Sequence, residues 1–108
     1  MLVDLEVHRD DVSRLCRLHG VTSLDVFGSA TGDAFDPARS DIDFIVDFGP
    51  QAQPRLFEHY FALKLALEVL FGRQVDLVMA GAMTNPYFIE SAQRTRRPVY
   101  ASPLPQAA

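Results

Sequence analysis

With one cysteine, Cys16, in 108 residues, the chain cannot close an internal disulfide, which fits a reducing compartment. Cys16 stands at helical spacing with Val12, Leu15 and His19, so core packing accounts for it better than thiol reactivity does. Long apolar runs are missing too. The most apolar stretch, from about Phe61 to Phe71, is broken by Lys64 and Glu68 and is too short to span a bilayer. The N-terminus, MLVDLEVHRDD, lacks the basic start and apolar run of a signal peptide. A soluble, cytoplasmic protein with no membrane association is expected. Basic residues are outnumbered: 10 Lys and Arg against 14 Asp and Glu give a formal charge of −4. That argues against a free-standing nucleic-acid binder, which carries a basic face. It does not exclude an enzyme that handles nucleotides, because metal ions can supply the positive charge. His8, His19 and His59 are scattered, no His/Cys set has ligand spacing, and no Ser-His-Asp arrangement can be assembled. Internal repeats and low-complexity segments are also absent.

What remains is a chain of single-domain length, residues 1–108, with 48% apolar and 22% charged residues. Such a composition supports a packed core and excludes disorder. Residues from about Arg9 to His19 place Val12, Leu15 and Cys16 on one side of a short helix that Gly20 closes. Val21 to Phe27 is a strand with Leu24 and Val26 on one face. Asp25 shares parity with Phe27 and reads as a solvated strand residue. Ala30 to Ala34 fits a helical turn, and Asp36-Pro37 marks a break. A second strand runs from about Asp41 to Phe48, and the longest helix from Arg55 to Phe71, where Gly72 stops it. That helix carries two apolar stripes: Leu56, Tyr60, Leu63, Leu67 and Leu70, and, on a different side, Phe57, Phe61, Leu65 and Val69. One stripe suffices for packing on a sheet, so the second covers a neighbouring helix or meets another chain. Gln74 to Met79 is a third strand. Thr84-Asn85-Pro86 starts a helix with Asn85 as its cap. That helix runs to about Arg94, where Arg94, Arg96 and Arg97 suit a helix C-terminus. Pro98 to Tyr100 fits a short edge strand, and residues 101–108 fit a frayed tail. The expected fold is α/β: a small mixed sheet with helices mainly on one face and acids on the other.

The segment FGSATGDAFDPARSDIDFIV, Phe27 to Val46, concentrates the chemistry. Side chains alternate along a strand, so Asp41 and Asp43 project together, about 7 Å apart at ~3.3 Å per residue. Ile42, Phe44, Val46 and Phe48 form the opposite, wholly apolar parity. An isolated Asp-x-Asp on such a strand is explained by a solvated face. Two further features need a joint explanation: Gly28-Ser29 at the preceding strand's end, and Asp76, opposite in parity to Val75 and Leu77. A glycine lets backbone N–H groups approach phosphate oxygens, and a helical turn after it directs its dipole at an anion. Three carboxylates facing that cradle offer hard oxygen ligands for two divalent cations, Mg²⁺ or Mn²⁺.

The pattern of Gly-Ser, a spacer, Asp-x-Asp, and a later strand Asp in GRQVDLV (Gly72 to Val78) resembles the minimal nucleotidyltransferases of the DNA polymerase β-like superfamily. The likeness runs from the first helix to the NPYFIESAQRTRRPVYA segment. It implies transfer of AMP from ATP onto a tyrosine of a helical HEPN-type RNase toxin, so that the chain acts as an antitoxin. It further implies that Asp41 and Asp43 hold both metals and Asp76 the one nearer the attacking oxygen. Gly28 and Ser29 would grip the β- and γ-phosphates. Two departures are visible: the spacer from Ser29 to Asp41 is eleven residues, one more than is usual, and Ala30 replaces the arginine many members carry. Arg39 is the candidate substitute, with Ser40 beside it on the nucleotide side.

Two other functions compete. A non-catalytic antitoxin with a vestigial nucleotide site would neutralise its partner by covering it, and Phe57, Phe61, Leu65 and Val69 are the candidate partner-binding residues. Nucleotidylation of a small molecule would need a further chain to enclose the acceptor. Direct DNA or RNA binding is not expected from so acidic a chain.

Overall fold

The structure, a computed structural model, describes residues 3–28 and 41–102. The expected turn over Ala30 to Ala34, the break at Asp36-Pro37 and the candidate residues Ser29, Arg39 and Ser40 lie outside them. Four strands form one mixed sheet: β1 (Val21–Phe27), β2 (Ile42–Phe48), β3 (Val75–Met79) and β4 (Arg97–Ala101), in the order β3-β2-β1-β4. β1 pairs antiparallel with β2 and β4, and β3 runs parallel to β2. The parallel pair requires a crossover, which α3 (Leu56–Phe71) supplies.

Alternation along the strands sorts the two faces. Leu24 and Val26 of β1, Ile42, Phe44 and Val46 of β2, and Val75 and Leu77 of β3 are buried in one core. Val12 and Cys16 of α2 (Arg9–Leu18) and Leu63 and Leu67 of α3 close it from the helical side. A short α1 (Val3–Val7), too brief to leave a periodic signature, adds buried Leu5. α3 ends at Gly72, in the left-handed region at φ +66°. Among the described residues no helix is long and apolar enough to cross a membrane.

α4 (Pro86–Thr95) starts as its sequence dictates. The Asn85 side-chain oxygen accepts from the amides of Tyr87 (2.9 Å) and Phe88 (3.4 Å), with Pro86 in the first turn. It packs on the second face of the sheet, where Ala92 meets Phe27 and Ile45. The helices therefore lie mainly on one face, while α4 roofs part of the acidic side.

Three expectations are corrected. Ala101 is not tail: it pairs with Ser23 in β4, and the Ser102 amide donates to the Thr22 carbonyl at 2.8 Å. Asp25 is not a solvated residue: its carboxylate accepts from Arg96 Nε, and only 14% of its side chain is exposed. The histidines are not all scattered: His19 and His59, on neighbouring helices, bring their Nδ1 atoms to 3.0 Å, and burial, with His59 second, holds the His19 imidazole below its ordinary value.

The two stripes of α3 separate cleanly. Leu63 and Leu67 are fully buried, while Phe57, Phe61, Leu65 and Val69 are 67%, 58%, 61% and 84% exposed. Neither α2 nor the sheet covers the second stripe. α3 also satisfies backbone groups at the free edge of β3. The Tyr60 hydroxyl donates to the Leu77 carbonyl at 2.5 Å, and the Val75 amide donates to Glu68 Oε2 at 3.1 Å.

Candidate active site

Asp43 and Asp76 face each other in register across the parallel β2–β3 pair, and Phe27 stands opposite Asp43 on β1. Both acids belong to the parity that the core rejects, so packing of Phe44 and Leu77 on one face projects the carboxylates from the other. The two are close enough to hydrogen-bond. Burial, then that bond, then the charges of Asp76 and Asp41 push the Asp43 carboxyl up to about 6. Asp43 thus keeps its proton to a higher pH than an ordinary aspartate does.

Gly28 explains how Asp43 gains its place. It has φ +74°, and a Cβ there would lie 2.8 Å from Asp43 Oδ2. Only glycine fits both the left-handed backbone and the approach of the carboxylate. The Gly28 amide donates to Thr95 Oγ1 of α4 at 2.8 Å. Phe88 of α4 meets Phe27 edge to face, with centroids 5.6 Å apart. With the Asp25–Arg96 ion pair at the end of α4, these contacts tie that helix down beside the acids.

A cavity of about 390 Å³ opens in front of Asp43 and Asp76, with Phe27, Val78 and Phe88 as apolar lining and Tyr60, Lys64 and Leu77 at the β3 margin. Lys64 Nζ lies 3.3 Å from Glu68 Oε2, the oxygen that accepts from the Val75 amide. That amide bond, with Lys64 adding, holds the Glu68 carboxyl below its ordinary value. A smaller cavity of about 280 Å³ lies at the other end of β2 and β3 with Asp47 as its one ionisable lining group.

The structure thus joins Asp43, Asp76 and Gly28. Asp41, exposed just before β2, adds its charge to Asp43. Among the described residues no three acidic, His or Cys side chains already stand as a metal cage. The donor chemistry nonetheless fits a divalent cation: paired hard oxygens whose joint negative charge a cation would offset. Thr95, Tyr60, Lys64, Phe88 and Arg96 escaped sequence reasoning. Tyr60 read as core stripe and Lys64 as a break in an apolar run, and no local pattern marks either as lining a site on the strands.

The chain matches the nucleotidyltransferase domain family over residues 10–99. It is 36% identical over 73 residues to a Methanocaldococcus jannaschii protein provisionally named a protein adenylyltransferase, covering 68% of this chain and 70% of that one. A solved structure provisionally described as a minimal nucleotidyltransferase superposes with a TM-score of 0.70 at 34% identity, over 87% of this chain and 91% of that one. The fold is also shared, at 15% identity and a TM-score of 0.62, with a chain from the Shewanella oneidensis complex of a tri-AMPylated HEPN toxin with its MNT antitoxin. That match covers 91% of this chain and 73% of the other.

Proposed function

This chain belongs to the nucleotidyltransferase domain family, and from that premise we propose that it moves AMP from ATP onto a protein hydroxyl, a tyrosine of a helical HEPN-type RNase toxin, and so acts in the cytoplasm as an antitoxin. The observation that carries the reading is the in-register pair Asp43–Asp76, with Gly28 leaving room for the first carboxylate. Asp41, Asp43 and Asp76 would hold two Mg²⁺ or Mn²⁺ ions. When bound, these neutralise the triphosphate and make the α-phosphorus easier to attack. Gly28 and Ser29 would grip the β- and γ-phosphates, and Arg39 and Ser40 would be further nucleotide-binding residues. The acceptor oxygen attacks the α-phosphorus, a new O–P bond forms, the bond to the β-phosphate oxygen breaks, and pyrophosphate leaves. Asp76, next to the open edge of the sheet, takes the acceptor's proton. The chain's share of catalysis is positioning.

A partner-modifying enzyme of this size also needs a docking surface. The exposed stripe of Phe57, Phe61, Leu65 and Val69 serves as that surface for a helical partner. The same stripe favours a second reading, in which the chain silences its partner by covering it and the nucleotide site is vestigial. Incubation with α-labelled ATP, Mg²⁺ and the purified HEPN-type partner separates the two. The first reading expects label on the partner, lost with Asp43→Asn or Asp76→Asn. An unlabelled partner that is nonetheless inhibited, by wild type and both variants alike, establishes the second.

A further inference from the structure

Gly28 just past the end of β1, Asp43 on β2 and Asp76 on β3 succeed one another across the sheet toward its free margin. The β1 side is closed: Thr95 takes the Gly28 amide, Phe88 packs on Phe27, and Arg96 pairs with Asp25. Among the described residues no strand lies beyond Asp76, only the Tyr60 and Lys64 side chains of α3 at the cavity's side. Among these residues Asp76 is exposed, and the β3 margin is the approach to it that no described element covers. Among the described residues Lys64 is also the single cation lining the cavity in front of the two acids.

We infer that the acceptor enters over the β3 edge between Tyr60 and Phe88 as an aromatic hydroxyl, and that Lys64 is the catalytic cation that donates to its oxygen. This deepens the AMP-transfer reading and rests on it. The apolar lining of Phe27, Val78 and Phe88 suits an aromatic ring better than a serine side chain. An ammonium at the phenolic oxygen stabilises the negative charge that grows there as its proton passes to Asp76 and the bond to the α-phosphorus forms. Glu68 Oε2 accepts from the Lys64 ammonium at 3.3 Å and is itself anchored by the Val75 amide, one residue from Asp76, which places the ammonium at the β3 margin.

The test uses the full chain, α-labelled ATP, Mg²⁺ and the purified HEPN-type partner, with ATP affinity measured separately by calorimetry. Lys64→Met is expected to lower kcat/KM for the partner about 100-fold while ATP affinity stays within about twofold. Lys64→Arg should recover much of the loss. Mass mapping should find AMP on a tyrosine. Wild-type transfer by Lys64→Met overturns the inference. So does a matching loss of ATP affinity, which would put the ammonium on the triphosphate, or AMP found on serine or threonine alone. Wild type that labels no partner sinks the AMP-transfer reading itself, and the role of Lys64 with it.

Discussion

Gly28 vacates the space that the Asp43 carboxylate fills: a methyl group on residue 28 would lie 2.8 Å from Asp43 Oδ2. The glycine of the Gly-Ser turn thus serves the neighbouring strand's acid directly, whatever it does for a phosphate. Gly28→Ala is expected to cost about 1–3 kcal/mol from the left-handed backbone alone. It should also cut transfer far more than its lowered melting temperature explains, because the displaced group is Asp43. Chemical denaturation and labelled-ATP assays on one preparation check this. Full activity in a folded Gly28→Ala protein would refute it.

The raised Asp43 carboxyl makes metal-free stability depend on pH. The folded Asp43 carboxyl titrates at about 6, above its ordinary 3.8. Between those values the folded state binds more protons than the unfolded one, so stability falls as pH rises and the deficit is complete above about 6. In EDTA, urea midpoints should drop from pH 4 to pH 7 more steeply for wild type than for Asp43→Asn. Adding Mg²⁺ at pH 7 should raise the wild-type midpoint and leave that of an Asp43→Asn/Asp76→Asn double variant in place.

The two sides of α3 should answer differently to truncation. Leu67 is fully buried, so Leu67→Ala should cost about 2–5 kcal/mol. Val69, two residues on and 84% exposed, should tolerate alanine within about 0.5 kcal/mol. Phe61→Asp should leave the melting temperature near wild type and weaken the partner complex at least tenfold in a pull-down titration. Unchanged binding would remove the stripe from the interface.

Cys16 is fully buried, and desolvation pushes its thiol up to about 12, with Arg17 pulling slightly the other way. Native protein at pH 8 should resist a thiol reagent and react in one step on unfolding in guanidinium. Labelling at the rate of a free thiol would contradict the burial.

Legibility from sequence followed the range of the forces involved. Strand alternation set the faces of β1, β2 and β3, so the parity that buries Phe44 and Leu77 was enough to put Asp43 and Asp76 on the face away from the core, while their pairing in register came only from the structure. Asn85-Pro86 announced α4 because capping is a contact within four residues. What stayed hidden joins distant positions: Arg96 with Asp25, His19 with His59, Thr95 with Gly28. The crossing of α4 to the acidic face was hidden for the same reason. Nothing local shows which side of a sheet a helix will cover. Lys64 and Tyr60 were legible as helix residues, but not as groups that reach past a strand margin into a cavity.

The margins of this sheet have a bearing on self-association. Along β3, Glu68 and Tyr60 already occupy the Val75 amide and Leu77 carbonyl that an incoming chain would have to bond. Along β4, Pro98 lacks a donor altogether. Lateral growth by strand addition, the route to fibrils, is therefore blunted on both flanks. What the fold leaves open is the row of α3 side chains, Phe57, Phe61, Leu65 and Val69, whose pattern, unlike a backbone ladder, is set by sequence.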